Sequence, residues 1–192
     1  MFGVVADLLL HKQLKLEKGR VTLFNIRGSM LPLSVYVNAQ RILEKEGMEN
    51  ALYYGAKETG RLWNENMQKQ YKAKTPTQIF EWGNKVMNLA GFGEFRVHKE
   101  DLDKKELTYR LYDSQLAAEY EKSKYPVCQI PRGLFAGSAC FVTRADLDAV
   151  ETRCLSCGDP FCEFEIKSRK KFDMKNQLVK RQLKEVDAKN DE

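Results

Sequence analysis

Three of the five cysteines lie in one short segment and have the spacing of metal ligands. The motif Glu-x-x-Cys-x-x-Cys-Gly-Asp-Pro-x-Cys runs from Glu151 to Cys162 and includes Cys154 and Cys157. Two runs with the composition of β-strands flank its Gly-Asp-Pro turn, so the thiols are expected at the tip of a hairpin. Thiolates gathered in this way bind soft or borderline divalent metals, of which zinc is the commonest. Cys128 lies upstream and is a candidate fourth ligand that the fold brings onto the hairpin.

Other uses of the cysteines are less consistent with the sequence. Five is an odd number, and the N-terminal residues lack the basic stretch of a secretory signal, which argues against a disulfide framework and for a cytoplasmic protein. Cys140 lies in an apolar run and is expected to be a buried, small hydrophobic residue. A redox role for Cys154 and Cys157 is disfavoured because thioredoxin-type pairs precede a helix, whereas this pair lies between strands.

The chemistry of the residues suggests one set of four zinc ligands. Chemistry alone favours four cysteines, because thiolates outcompete a carboxylate for zinc. That set is Cys128, Cys154, Cys157 and Cys162. A metal site with four protein ligands is typically a closed structural site without a vacancy for an activated water.

The order of these residues resembles the carboxy-terminal signature of the 4-vinyl reductase (4VR) domain. This domain also occurs in the sensor domains of phenol- and xylene-responsive bacterial activators. The glycine-spaced segment 51–60 and a middle block extend the resemblance upstream, the block being Asp113-Ser114, Pro126 to Cys128, Gly133 and Gly137. The resemblance implies that zinc is held by Cys128, Glu151, Cys154 and Cys162, and it places Cys157 at a non-ligand position.

Hydrophobic patterns predict an α+β fold, with helices packed against a mainly antiparallel sheet and a zinc-stapled C-terminal hairpin. Helices are predicted over 33–46, 49–71, from 75 through 87, 114–121 and 133–143. Strands are predicted as a hairpin within 12–24, as a pair over 92–98 and 107–111, and as the cysteine hairpin over 150–154 and 161–166.

Composition is consistent with one ligand-binding domain over residues 1–166 and a basic tail over 167–192. The chain has 192 residues, of which 43% are hydrophobic, and no apolar run approaches the about 20 residues that span a bilayer. In the tail, a narrow stripe of Leu178, Val179, Leu183 and Val186 predicts an amphipathic C-terminal helix that packs on the body or contacts a protein partner. Acidic residues dilute its charge, which argues against nucleic-acid binding. The resemblance implies a homodimer.

Aromatic residues are numerous enough to line an apolar cavity or to fill one. The resemblance favours a pocket, since related domains enclose small hydrophobic molecules. The predicted lining is Tyr53, Trp82, Phe92, Tyr109, Phe135 and Phe141. The phenol sensors place a histidine and a tryptophan over the phenol hydroxyl, whereas the matching positions here fall near Met87 and Leu111. A phenol-type polar clamp is therefore not expected.

Three functions remain open at this level. The first is a zinc-binding domain that senses or carries a hydrophobic small molecule. The second is an assembly or adaptor protein resembling the Bet-three-like vesicle-tethering subunits. The third is an accessory subunit in tetrapyrrole vinyl reduction. No nucleophile-base pair, phosphate loop or dinucleotide fingerprint can be recognised in the sequence, which argues against an ordinary enzyme.

Overall fold

The computed structural model describes residues 14–23, 25–71 and 75–185. Its strands are β1 (Leu14–Glu17), β2 (Arg20–Leu23), β3 (Ile26–Gly28), β4 (Glu94–Asp101), β5 (Glu106–Tyr112), β6 (Asp148–Arg153) and β7 (Cys162–Lys167). Its helices are α1 (Leu33–Lys45), α2 (Ala51–Tyr71), α3 (Pro76–Leu89), α4 (Gln115–Tyr120), α5 (Gln129–Thr143) and α6 (Gln177–Gln182). The predicted α+β class is confirmed. Among these residues no helix is both long and apolar enough to cross a bilayer.

The N-terminal sheet is a three-stranded antiparallel meander of β1, β2 and β3. The first pair turns at Lys18-Gly19, as the alternation about these residues predicts, with Glu17 opposite Arg20. Gly19 has a φ of +71°, which suits the two-residue turn. Strand β3 was not predicted, because three residues are too few to display a period.

The main sheet has the order β4-β5-β7-β6, and every neighbouring pair in it is antiparallel. Alternate residues of its central strands are buried and face α5. In β5 these are Leu107, Tyr109 and Leu111, and in β7 they are Cys162, Phe164 and Ile166. The period of two in the sequence thus places a cysteine on the buried face at the start of β7.

Helix α5 lies across this face and begins four residues before the predicted start at Gly133. Pro131 did not prevent this, because the first turn of a helix needs no internal hydrogen bond from its N–H groups. The helix crosses α2 through glycines on both elements. A Cβ atom at Gly133 would lie 2.3 Å from the carbonyl oxygen of Tyr53, and one at Gly60 would lie 2.3 Å from that of Leu134. Glycine at these positions lets the two backbones touch.

Two predicted helix starts depend on side-chain caps that the structure contains. The Thr75 hydroxyl accepts from the backbone N–H of Gln78, and the Gln78 side chain accepts from that of Thr75, forming a capping box at α3. At α4 the Ser114 hydroxyl accepts from the backbone N–H of Ala117. These signals depend on four consecutive residues, which is why the sequence alone located them.

The C-terminal helix is shorter than the stripe of apolar residues suggested. Helix α6 has six residues, and Val179 and Leu183 are buried in a cluster with Val150 of β6 and Phe172. The fourth member of the predicted stripe, Val186, lies outside the described residues. This apolar stripe therefore packs on the body of the same chain.

Candidate metal centre

Three elements bring four potential ligands to one end of the main sheet. Cys128 is the N-cap of α5, Glu151 lies in β6, Cys154 directly follows β6, and Cys162 opens β7. One ligand atom from each lies within 4.8 Å of the other three, and all four residues are buried. This buried Cys/Glu cluster can hold a metal ion.

The spacing of the sulfur atoms is that of ligands around one ion. The Sγ atoms of Cys128 and Cys162 are 3.5 Å apart, and those of Cys162 and Cys154 are 4.0 Å apart. Sulfurs bound tetrahedrally to zinc at about 2.3 Å would be separated by about 3.8 Å. The donor set and its size therefore fit a tetrahedral ion.

The two oxygens of the Glu151 carboxylate differ in their hydrogen bonding. Its Oε2 accepts a hydrogen bond of 2.9 Å from the backbone N–H of Cys128. Its Oε1 is buried and has no hydrogen-bond partner within the described part of the chain. A buried carboxylate oxygen without a partner is costly, and a cation beside it would remove that cost.

Backbone and hydroxyl groups surround the thiols. The N–H of Leu155 points at Cys162 Sγ at 3.4 Å, and Ser114 Oγ lies 3.4 Å from Cys128 Sγ. The turn between the strands is closed by hydrogen bonds from the N–H groups of Cys157 and Asp159 to the Cys154 carbonyl, at 2.9 and 3.2 Å. These contacts hold the ligand-bearing loop in position beside the thiols.

The pKa values of the cluster residues are shifted in opposite directions. Hydrogen bonds from the thiols of Cys128 and Cys162 lower the pKa of Cys154 to about 2. The hydrogen bond with Cys154 raises the pKa of Cys128, and burial raises the pKa of Glu151 well above its usual range. A divalent cation would supply the charge that favours ionisation of the ligands.

Cys157 differs from the other cysteines of the motif. It is exposed and lies outside the group of mutually close ligand atoms. The rival set that includes Cys157 is therefore not brought together, whereas the set containing Glu151 is. Cys140 is half-buried on α5, where its Sγ lies 3.3 Å from both the N–H and the carbonyl oxygen of Leu147.

Two residues that the sequence analysis did not identify hold Glu151 in place: Gln182 contacts its backbone, and Arg132 contacts Gln182. The Gln182 amide accepts from the N–H of Glu151 at 2.8 Å and donates to its carbonyl oxygen at 2.9 Å. Arg132 in turn donates to the Gln182 carbonyl and side-chain oxygens at 2.9 and 3.0 Å. Neither residue type carries a local signal for such a role, because both commonly lie on the surface.

The predicted pocket residues are placed at several depths. Tyr53, Tyr109 and Phe135 are buried, and the rings of Tyr109 and Phe135 stack with centroids 4.4 Å apart. Phe92 packs at the edge of the same cluster, Phe141 is half-buried, and the side chain of Trp82 lies outside the described part. The structure thus brings Tyr109 and Phe135 into direct contact with each other.

A larger groove lies where α2 crosses α5 and has a volume of about 510 Å³. Its lining includes Tyr54, Lys57, Arg61, Cys140, Arg144 and Asp146. None of the predicted pocket residues is among those that line this groove, so it differs from the pocket that the sequence suggested.

The fold and the site together define the class of the protein: an α+β domain with a buried cluster of three thiols and one carboxylate. Residues 107–168, from β5 to the end of the cysteine hairpin, match the sequence profile of the V4R domain. This match confirms the resemblance inferred from the cysteine motif. Over 172 residues the chain is 27% identical to the uncharacterized protein MJ0150 of Methanocaldococcus jannaschii, covering 85% of this chain and 94% of that protein.

Solved structures share the fold at low sequence identity. The phenol-responsive sensory domain of the transcription activator PoxR, solved with phenol, has a TM-score of 0.76 and 15% identity, over 96% of this chain and 98% of that one. A trafficking protein particle complex subunit 3 from Naegleria fowleri, covalently bound to palmitic acid, has a TM-score of 0.51 and 12% identity, over 70% and 93%. These similarities establish the architecture of the chain.

Proposed function

We propose that this chain is a metal-stabilised domain that binds a hydrophobic small molecule as a sensor or carrier. The carrying observation is the buried group of Cys128, Glu151, Cys154 and Cys162, whose ligand atoms lie within 4.8 Å of one another. Zinc is the metal that best suits three thiolates and a carboxylate in a four-coordinate arrangement.

The role of the metal in this proposal is structural. All four positions around the ion would be taken by protein groups, which leaves no site for an activated water. The ion would join the start of α5 to both strands of the C-terminal hairpin. Binding of structural zinc contributes on the order of 10 kcal/mol in small modules, so loss of the ion is expected to unfold this end of the sheet.

Ligand binding is proposed from the likeness to the PoxR sensory domain, whose solved structure contains phenol. The aromatic residues between the sheet and α5 would supply the apolar contacts. Met87 and Leu111, near which the resemblance places the phenol-clamp positions, are buried in the same hydrophobic cluster. An apolar ligand without a hydroxyl therefore suits this interior better than phenol does.

An adaptor function is the second candidate, and one surface favours it. Leu31 and, on α1, Val35 and Ile42 expose 48%, 45% and 61% of their surface, and neighbouring Met30 exposes 88%. Contiguous apolar residues on a surface mark sites where a protein partner or a second copy binds. The trafficking-complex subunit shares the fold, which makes assembly through such a surface a reasonable alternative.

The deciding experiment is metal analysis combined with intact native mass on protein expressed without added zinc. One zinc per chain together with a small exchangeable adduct is the expected result, and the adduct mass would identify the ligand class. A stoichiometric, non-exchanging lipid would favour the adaptor function. Metal-free and adduct-free protein that is fully folded would refute the proposal.

A further inference from the structure

Residues 169–185, which follow the V4R match, are held at their C-terminal end by side chains of other elements. Four successive carbonyl oxygens at the end of α6 receive hydrogen bonds from side chains of other elements. Asn50 donates to those of Arg181 and Lys184 at 2.8 and 2.9 Å. Arg132 donates to that of Gln182 at 2.9 Å, and Arg169 to that of Leu183 at 2.5 Å. Since the last carbonyls of a helix lack internal partners, these donors fix where α6 ends.

The same segment holds the backbone of a metal-ligand residue. β6 is an edge strand of the main sheet, and its residue Glu151 exchanges two hydrogen bonds with the side chain of Gln182. This amide therefore occupies the place that a neighbouring strand would take. The pairing fixes the orientation of the Glu151 backbone, and with it the direction of the carboxylate that completes the cluster.

Arg132 connects this pairing to the charge of the metal centre. Its guanidinium is buried, lies 3.9 Å from the centre of the Tyr53 ring, and donates to the neutral oxygens of Asn50, Gln182 and Ala149. Arg132 and Glu151 both line a cavity of about 20 Å³. Three thiolates and one carboxylate with a divalent ion would carry a formal charge of −2, and a buried cation nearby would offset it.

We infer that residues 176–185 form a clamp on the metal centre, in which Gln182 is a positioning residue for Glu151 and Arg132 holds Gln182 in place. Metal occupancy and docking of this segment are then thermodynamically coupled. Coupling is reciprocal: a docked α6 raises the affinity for the metal, and the bound metal stabilises the docked α6. This inference rests on the proposed metal centre.

The first test measures zinc affinity by competition with a chromophoric chelator. Gln182→Met keeps the size of the side chain but removes both hydrogen bonds to Glu151, and it is expected to weaken zinc binding at least tenfold. Gln177→Met, at an exposed position of the same helix, is the matched control and should bind like the wild type. Val86→Ala creates a cavity in α3, in a hydrophobic cluster separate from the one that contains the cysteines, and should lower the melting temperature without changing zinc affinity.

Two further readouts separate positioning from general loss of stability. The cobalt-substituted wild type and Gln182→Met should differ in their visible absorption bands, because a displaced Glu151 changes the coordination geometry. In the wild type, zinc should slow hydrogen exchange at the N–H groups of Lys180 and Leu183, which bond to Asn176 and Val179 inside the clamp, at least tenfold.

The outcomes separate this inference from the proposed function. Wild-type protein that binds no metal would overturn both. Wild-type protein that binds zinc, while Gln182→Met shows the same affinity and the same cobalt spectrum, would overturn the clamp alone. Unchanged exchange in the wild type with and without zinc would also overturn it, and this measurement does not depend on whether the variant folds.

Discussion

Gly137 of α5 meets Lys57 of α2 backbone to backbone: a Cβ atom at position 137 would lie 1.8 Å from the Lys57 carbonyl oxygen. No side-chain rearrangement relieves such a contact, because the opposing atom belongs to the main chain of another helix. The two helices must separate, or one must bend, to admit any larger residue.

Gly137→Ala is therefore expected to destabilise the protein by about 3 kcal/mol or more, as overpacking and backbone shifts do at their upper range. Gly55→Ala is the matched control on α2, because nothing lies within 4 Å of its added Cβ. This control should gain up to about 1 kcal/mol from better helix propensity. Urea unfolding of both variants tests the crossing, and equal stabilities would show that the close approach is wrong.

Substitutions at the thiols should separate ligands from bystanders. Cys154→Ser removes a proposed ligand and is expected to release the metal and lower the melting temperature. Cys157→Ser should keep the metal content and the melting temperature of the wild type, because Cys157 is exposed and lies outside the group. Metal content and thermal unfolding measure the two effects. If Cys157→Ser loses the metal while Glu151→Gln keeps it, the ligand set containing Glu151 is refuted.

Asp148 carries a pH-dependent part of the stability. Burial raises the pKa of Asp148, but hydrogen bonds from Lys57 and Tyr53, at 2.9 and 2.8 Å, and the charge of Arg169 outweigh it and leave the pKa below its usual value. The stability gained is present above the unfolded pKa of about 3.9 and is lost as the pH falls through the lower folded pKa.

Asp148→Asn should accordingly cost about 2 kcal/mol near neutral pH, and the difference from the wild type should shrink below about pH 4. Melting temperatures of the two proteins between pH 7 and pH 3 measure this. Release of metal in acid affects both proteins, so the difference between them isolates Asp148. A difference that stays constant over this range would show that the Asp148 charge is not responsible.

Phe135 tests whether the aromatic interior is packed. Its ring stacks on Tyr109 at 4.4 Å and lies edge-on to Phe95 at 4.6 Å. In a packed core, Phe135→Ala should cost about 3 to 5 kcal/mol in urea unfolding. A cost below about 1 kcal/mol would instead indicate that the ring borders existing space, and added benzene would then be expected to raise the stability of the wild type.

The sequence anticipated the features that depend on short spacings. The cysteine hairpin, the Thr75 and Ser114 caps and the alternation in β5 each follow from residues within a few positions of one another. The choice of Glu151 over Cys157 came from the family resemblance, and chemistry alone favoured the cysteine. In the structure Glu151 points inward because of its register in β6, whereas Cys157 lies on the exposed side of the turn.

Features that depend on distant partners escaped prediction for a physical reason. Arg132 is buried only because Asn50 and Gln182, far away in sequence, supply acceptors for its guanidinium. The end of α6 is likewise set by donors from other elements, so its apolar stripe alone suggested a longer helix. Desolvation of a charge is favourable only in a finished tertiary structure, and no local pattern encodes it.

The amide of Gln182 also has a consequence for how this protein behaves among copies of itself. An open sheet edge is a template onto which a strand of another molecule can add. At one edge Gln182 occupies the N–H and carbonyl of Glu151, and at the other β4 carries the exposed charges of Arg96 and Lys99 and a bulge after Val97. Both edge strands of the sheet are thereby protected against intermolecular strand addition. Undocking of α6 would leave the N–H and carbonyl of Glu151 open to the strand of another molecule.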